Sequence, residues 1–510
     1  MVAPVIRQFF KNTFTSYVSS GMGMVITLVF TPYLIGMLGK ERYGIWQLAF
    51  SIIGYMALAN LGMIQSLVRY YSKYYATEDW DSVNGIYNAA ARIYTVLATV
   101  ILIATPVVGY YILPGFEIKP DIFRTAQIVV ITLGIAQAAN LFFVPFSAVG
   151  GFHRFDVGNY FRLGRAIAEP LVIVLVLELG RGLQTMAWAV LGLTLAHYIG
   201  LSLYRVHLFP KMKLTLGKVD RENYQVLFSY GIIAFLIIIT QFVVYNTDNL
   251  VIGWVLSMEA VAVYAVSGSI ANRIRGVIAM LAVPLVPTIS HFEAQKDYAR
   301  IRSIYRKAML YLYFVAATVT ITVVFFGGPF IRLWVGDEFS ASIPVLQILM
   351  LGSAISYPQL IANSILYGLS KHKIVFYVLL AEAIGNLGLS IVLIHFWGLV
   401  GVAWGTTIPQ LVIYTAIYPF VFRRVVGGRV REFYGNVSRS LMIAATIAVP
   451  IAWGMRALFP PESWLMWVVD CSVVSLAGLA GLLLFVLEPA DRERLTTKIR
   501  EKLSRHSDKG

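Results

Sequence analysis

Apolar runs of roughly twenty residues or more recur along the 510-residue chain, each long enough to cross a bilayer, with short polar stretches between them. The pattern predicts helices near 13–38, 43–68, 88–113, 125–150, 160–179 and 183–208. After a basic linker it predicts six more near 225–255, 259–290, 306–330, 343–368, 374–396 and 400–422, then a final pair near 439–458 and 464–487. This reads as an all-α polytopic membrane protein with 14 transmembrane helices. The segments group into an N-lobe (1–208), a basic linker (209–224), a C-lobe (225–424), an additional helix pair (425–487) and a charged tail (488–510). The polar stretches 69–88 and 291–305 mix charges with Tyr, Val and Ile and read as solvated amphipathic turns.

Charge sharpens this picture. Charged residues are 13% of the chain and apolar residues 58%, whereas ordinary soluble chains carry roughly 25% charge. The net charge of +15 invites a nucleic-acid reading, but its distribution argues for a membrane. With both termini cytoplasmic, 32 of the 41 Lys and Arg fall in inner segments and 7 in outer ones. That is the asymmetry of a multi-pass protein in the cell inner membrane, with the lipid bilayer and no nucleic acid as partner. Arg7 and Lys11 before an apolar run resemble a signal peptide, but the run from Phe14 to Leu38 is long enough to be a retained first helix.

The two remaining cations, Arg273 and Arg275, sit mid-helix between 259 and 290. At the centre of a bilayer an arginine costs about 2.5–3.5 kcal/mol, so such residues face an aqueous path or a partner. They are two residues apart and therefore point to different sides of their helix. Ser269, Asn272 and Gly276 make the Arg273 side the more polar. If the preceding hairpin turns near Ser257-Met258, residue 274 is level with Gln241, and Asp248 is level with about residue 267. A direct Asp248–Arg273 pair is then strained. The alternative is internal pairing of at least one arginine with Glu169 or Glu382, each of which has a polar i,i+4 neighbour in Arg165 and Asn386. Other polar positions at membrane depth are Ser19 and Ser20 on helix one and Asn60, Gln65 and Arg69 on helix two. A hydroxyl- and amide-rich lining suits a sugar, while the same residue types also serve as helix-packing material. Asp470 is expected at the interface near the end of the last helix.

The chain also repeats itself. At a shift of about 218 residues, Gly39–Ile52 lies over Ser257–Ile270, Asp79 over Asp297, Ile86-Tyr87 over Ile304-Tyr305 and Leu133-Gly134 over Leu351-Gly352. With a slip of two residues, Ala187-Trp188 lies over Ala403-Trp404. Six helices per unit return the chain to one side, so the halves are parallel repeats, an arrangement common among alternating-access transporters. The positions matching Arg273 and Arg275 are Tyr55 and Ala57, which leaves the central positive charge to the second half alone.

Enzymatic signals are weak. Cys471 is the single cysteine, the seven histidines are scattered without ligand spacing, no Gly-Lys-Ser/Thr loop is present, and the outer segments are short. No cofactor, metal or catalytic group is expected.

Three segments carry a family resemblance: Thr31-Pro-Tyr-Leu-Ile-Gly36 with Gly39-Lys-Glu-Arg-Tyr-Gly-Ile-Trp46; Asp248-Asn-Leu-Val-Ile-Gly253 with Glu259-Ala-Val-Ala-Val-Tyr264; and Arg332-Leu-Trp-Val-Gly-Asp-Glu-Phe339. With them the chain resembles the polysaccharide-flippase branch of the multidrug/oligosaccharidyl-lipid/polysaccharide exporter (MOP) superfamily, from about Asn12 to Arg424 and on into the last helix pair. The resemblance implies a V-shaped pair of lobes around a cationic cavity lined mainly by helices one, two, seven and eight. It implies turnover of undecaprenyl-pyrophosphate-linked oligosaccharide to the outer leaflet, with polysaccharide polymerase or assembly machinery as partners. Arg273 and Arg275 fall on helix eight, and Asn272, Gln241, Asp248, Ser19, Ser20, Asn60, Gln65 and Arg69 complete the candidate cavity. The competing readings are a cation-coupled multidrug exporter of the same superfamily and a membrane glycan-processing enzyme. The first would use acidic residues on helix one, and no Asp or Glu precedes Glu41; the second would need a large outer loop or an intramembrane histidine site.

Overall fold

The computed structural model describes residues 2–493, apart from 61, 148, 153, 216, 218, 230–231, 283–284 and 490, together with 497; side chains are described outside 2–20, 22–24, 65, 228–229, 232, 234 and 280–281. Nearly all described residues are helical and none lies in a strand, as the apolar runs predict. Among them, nine helical stretches are long and apolar enough to cross a bilayer. Some exceed a single crossing. His372–Val426 runs for 55 residues and is broken at Gly398 (φ 55°, ψ −131°), and Val2–Ala57 runs for 56 and is broken at Gly39 (φ 76°, ψ 166°). Both backbone conformations belong to glycine, which has no Cβ to clash.

The helix predicted over 43–68 ends sooner. It closes at Ala57, passes through a 3-10 turn at Leu58–Asn60 and Gly62 (φ 68°), and restarts as Met63–Ala76. That restart lies largely where a solvated turn was expected. It is helical because one face is apolar: Met63, Leu67 and Tyr71 are buried while Arg69 and Lys73 stay exposed. Within the stretch predicted as a helix over 259–290, the described residues of Met258–Ala282 and Leu285–Ala294 are helical.

The chain divides into two compact units, Met1–Ala265 and Val266–Gly510. In the first, Val2–Ala57 packs on Pro120–Ser147, Phe155–Glu178 and Ile232–Val255, and Pro120–Ser147 also packs on Trp80–Val107 and Leu183–Leu208. Val96, Val100 and Ile103 form an exposed stripe on Trp80–Val107, the inverse of a soluble helix and the expected face toward lipid. The linker is pinned along this helix. The Asn84 amide donates to the Lys211 carbonyl (3.1 Å) and that of Asn88 to the Lys213 carbonyl (3.0 Å), while the Lys213 and Thr215 N–H groups donate back to the two side chains at 2.8 and 2.7 Å.

In the second unit Tyr298–Val335 is the hub, contacting Ser342–Ser356, Val430–Leu458 and Trp464–Gly481. The additional pair seats through small residues. Ser440, Ala444, Ala448 and Ala452 recur every fourth position, all fully buried, and the Ser440 hydroxyl donates to the Leu310 carbonyl at 2.8 Å. Backbones approach closely where side chains are small, the usual helix–helix device in lipid. Asp470, expected at the interface, is instead buried at 1% exposure. It falls on the stripe Asp470, Val474, Gly478, Gly481 by which the last helix packs inward.

One backbone device occurs in both units. In the first, the Glu78 N–H donates to Tyr75 and the Asp79 N–H to Tyr74, with Glu78 at φ 56°. In the second, the Lys296 N–H donates to Glu293 and the Asp297 N–H to Phe292, with Lys296 at φ 57°. Each is a left-handed helix stop followed at once by an aspartate that caps the next helix, Asp79 on the Ser82 N–H (3.0 Å) and Asp297 on that of Arg300 (2.9 Å). Gly180 (φ 68°) and Gly398 (φ 55°) stand the same 218 residues apart.

Candidate functional site

Met258–Ala282 carries both central arginines and sorts them onto two faces. Ser267, Ala271, Ile278 and Ala282 form a buried stripe, and Arg275 lies on it, half-buried. The stripe is bonded into the second unit: the Ser267 hydroxyl donates to the Ser342 carbonyl and the Tyr357 hydroxyl to the Ala271 carbonyl, both at 2.7 Å. Arg275 stands within electrostatic range of Tyr357, Tyr367 and Glu382. Glu382 is wholly buried and accepts from the Tyr414 hydroxyl at 2.6 Å and from Gln410; Asn386 donates to Thr406 at 2.8 Å. Internal neutralisation by an acid, one of the two alternatives drawn from sequence, thus has a physical basis at Arg275.

Arg273 sits about 200° around the helix from Arg275. Its neighbours at helical spacing are Ser269, Ile270, Gly276 and Val277, with Asn272 adjacent in sequence; Asn272, Gly276 and Val277 are exposed, and Arg273 is half-buried. Among the described residues of this helix face, none is acidic. A guanidinium held there offers a planar fork of donors, the geometry that suits phosphate.

The remaining candidates separate. Asp248 is 6% exposed and accepts from the Tyr264 hydroxyl at 2.5 Å, a residue nearer the hairpin than the position 267 counted as level with it. Arg273 lies nine residues beyond Tyr264 on that helix, about 13 Å along its axis. Beside Asp248, Thr247 shares a short hydrogen bond with the Tyr55 hydroxyl, and the Asn249 amide donates to Ser51 at 3.1 Å. Gln241 is half-buried on the same face as Asp248, two turns away. Asn60 accepts from the buried Tyr94 hydroxyl, which gives it a packing role. Arg69 is exposed, its guanidinium 5.7 Å from the Tyr70 ring centroid. Ser19, Ser20 and Gln65 lie outside the described side chains. Glu169 forms the expected i,i+4 pair with Arg165 at 3.0 Å.

Sequence reasoning passed over Tyr55, Tyr264 and Tyr357, the three tyrosines whose hydroxyls tie the polar positions of these helices. Their signal was present: Tyr264 closes the Glu259–Tyr264 segment, and Tyr55 occupies the place that Arg273 takes in the second half.

The described residues form an all-helical chain with nine stretches long and apolar enough to cross a membrane, the class of a multi-pass membrane protein, and solved transporter structures agree on the fold. The chain is similar to the lipid II flippase MurJ in its inward closed conformation (TM-score 0.71, 12% identity, covering 93% of this chain and 98% of that one). It is also similar to an inward-facing multidrug resistance MATE family transporter of the MOP superfamily (TM-score 0.61, 16% identity, covering 81% and 96%). A Shigella flexneri protein named "Putative O-antigen transporter" is 19% identical over 398 residues, 77% of this chain and 93% of that protein. The polysaccharide biosynthesis protein family matches residues 9–293, and the MatE family matches 234–392. The chain belongs to the polysaccharide biosynthesis protein family.

Proposed function

We propose that this protein is a flippase that moves undecaprenyl-pyrophosphate-linked oligosaccharide from the cytoplasmic to the outer leaflet of the inner membrane by alternating access, for polysaccharide biosynthesis. The observation that carries the reading is Arg273, a half-buried cation at the middle of an apolar helix with Ser269 and Gly276 beside it. The oxygens of a pyrophosphate match the paired N–H donors of a guanidinium, and an arginine at membrane depth is costly unless it serves such a path. The family and the Shigella relative support a glycan-linked cargo. Arg273 with Asn272 is the proposed headgroup contact, and Arg275 tunes the buried Glu382 side. Gln241 and Asp248 are second-rank contacts. The remaining candidates, Ser19, Ser20, Asn60, Gln65 and Arg69, belong to the proposed lining of the route. The activity is transport, with no bond made or broken.

The second reading is a cation-coupled multidrug exporter, favoured by the MatE match and the MATE-like fold. An arginine at mid-helix repels a cationic drug, and the first helix offers no carboxylate before Glu41 to bind a coupling ion. One measurement separates the two. Deleting the gene should cause a single lipid-linked oligosaccharide to accumulate, detected by mass spectrometry of the lipid pool. An unchanged pool together with heightened sensitivity to cationic drugs would favour the exporter.

A further inference from the structure

A cleft of about 600 Å³ opens where the start of Tyr298–Val335, the Tyr418–Val426 helix and the start of Val430–Leu458 meet, wholly within the second unit. Its walls divide by chemistry. Met309, Pro419 and Phe422 are buried and apolar, and the Tyr305 ring stacks on Phe422 with centroids 3.6 Å apart. Arg302, Arg423 and Arg429 are exposed around them, and among the described residues of the lining Glu432 is the only acid. A fourth arginine, Arg306, is already paired with Glu488 at 3.0 Å.

The backbone is shaped for this cluster. Gly427 (φ 81°) and Gly428 (φ 106°) make the turn between the two later helices. A Cβ on Gly427 would stand 2.9 Å from Arg302 Nη1, so the guanidinium lies directly over bare backbone. The 29-residue Val430–Leu458 helix begins just past this turn, and its dipole adds positive potential to that of the arginines. Three guanidinium groups against one carboxylate, above an apolar floor, match an amphipathic anion.

We propose that this cleft binds a phosphate ester at the membrane surface, the guanidinium groups of Arg302, Arg423 and Arg429 holding the phosphate oxygens. The charge distribution along the chain assigns this end to the cytoplasmic side, where anionic headgroups are concentrated. The site is separate from the Arg273 face and does not depend on the identity of the cargo. A phospholipid would lay an acyl chain over Met309 and Phe422; a soluble phosphate would use the arginines alone.

The test uses the full-length protein in nanodiscs of phosphatidylglycerol or phosphatidylcholine, with retained lipid counted by native mass spectrometry after transfer to detergent. The native protein should retain phosphatidylglycerol selectively. The triple variant Arg302→Gln, Arg423→Gln, Arg429→Gln should lose that retention by about tenfold. Glu432→Gln should raise it, a gain that misfolding cannot mimic. Competition with inorganic pyrophosphate distinguishes the sources: displacement of the lipid identifies a phosphate-only site, and resistance identifies one that also holds the acyl chain. The triple Arg124→Gln, Arg181→Gln, Arg332→Gln makes the same change of charge elsewhere. Equal retention in the two triple variants, or no preference of the native protein for phosphatidylglycerol, would overturn the proposal.

Discussion

The turn at Tyr74–Asp79 and the turn at Phe292–Asp297 match bond for bond, while the helix positions Tyr55 and Arg273, also 218 residues apart, have nothing chemical in common. Tyr55 is engaged locally, its hydroxyl bonded to Thr247. Arg273 is half-buried, with Asn272 and Gly276 exposed beside it. Both halves must stop a helix, turn and restart, and that demand falls on backbone conformation. On the proposed function only one half meets a charged cargo, and that demand falls on a side chain. A duplicated scaffold therefore keeps its punctuation and loses its chemical symmetry.

The largest effect should come from breaking that asymmetry. Arg273→Ala should reduce glycan export by tenfold or more, the order expected for losing charge-assisted hydrogen bonds to phosphate, with membrane insertion intact. Arg273→Lys should recover part of it, since the charge remains and the fork is lost. Tyr55→Phe should leave export within about twofold, because it removes a neutral hydrogen bond of modest net worth. Export measured in a strain lacking the chromosomal copy decides the matter; equal losses for Arg273→Ala and Tyr55→Phe would refute a charge role special to the second half.

Much of this scaffold was legible in the chain. The apolar runs located most of the helices, and Asp79 aligned with Asp297 in the repeat, though nothing in the spacing showed that each caps a helix. The two-residue slip at Ala187 and Ala403 was legible too, though its cause was not. Seven residues separate Gly180 from Ala187, and five separate Gly398 from Ala403. The longer spacing makes a relaxed turn after a complete helix stop, whereas the shorter one makes a sharp kink at Gly398 between two helices. Hydropathy has no means of seeing this, because glycine scores alike in both settings. The assignment of Arg275 to a packed stripe was equally hidden. Spacing separates two arginines onto two faces, but which face is packed depends on Ser342 and Tyr357, far along the sequence. The arginine cleft escaped notice for another reason: its members were accounted for as topology signals.

The slip supplies the next prediction. Neither glycine would bring an added Cβ within 4 Å of another group, so any cost of substitution is conformational. Gly180→Ala places alanine in a left-handed stop, at about 1–2 kcal/mol. Gly398→Ala forces it to φ 55°, ψ −131°, a region reserved for glycine, at about 1–3 kcal/mol. Thermal unfolding of the purified variants in one detergent should therefore rank Gly398→Ala as the more destabilised. A neutral Gly398→Ala would mean that the break is imposed by packing and not by the backbone, and the comparison of the two turns would need a different basis.

The smallest effect belongs to the shared caps, where the halves should behave alike. Asp79→Ala and Asp297→Ala each leave a helix start without its carboxylate acceptor, and each should speed amide exchange in the first turn that follows. At Asp79 there is also a pH signature. The hydroxyl and N–H of Ser82 donate to this carboxylate and hold its pKa below the ordinary value. A lowered carboxylate pKa contributes stability that is fully present above the unfolded value, near 3.9, and is lost as pH falls through the lowered one. Exchange in the Trp80–Val83 turn should thus stay slow from neutral pH to about 4, after correction for the intrinsic rate, and quicken below it. Asp79→Asn keeps an acceptor without a titrating group, so it should abolish that acid-side acceleration while preserving slow exchange at neutral pH. If the variant still accelerates in acid, the sensitivity comes from elsewhere in the turn and the cap is not its source.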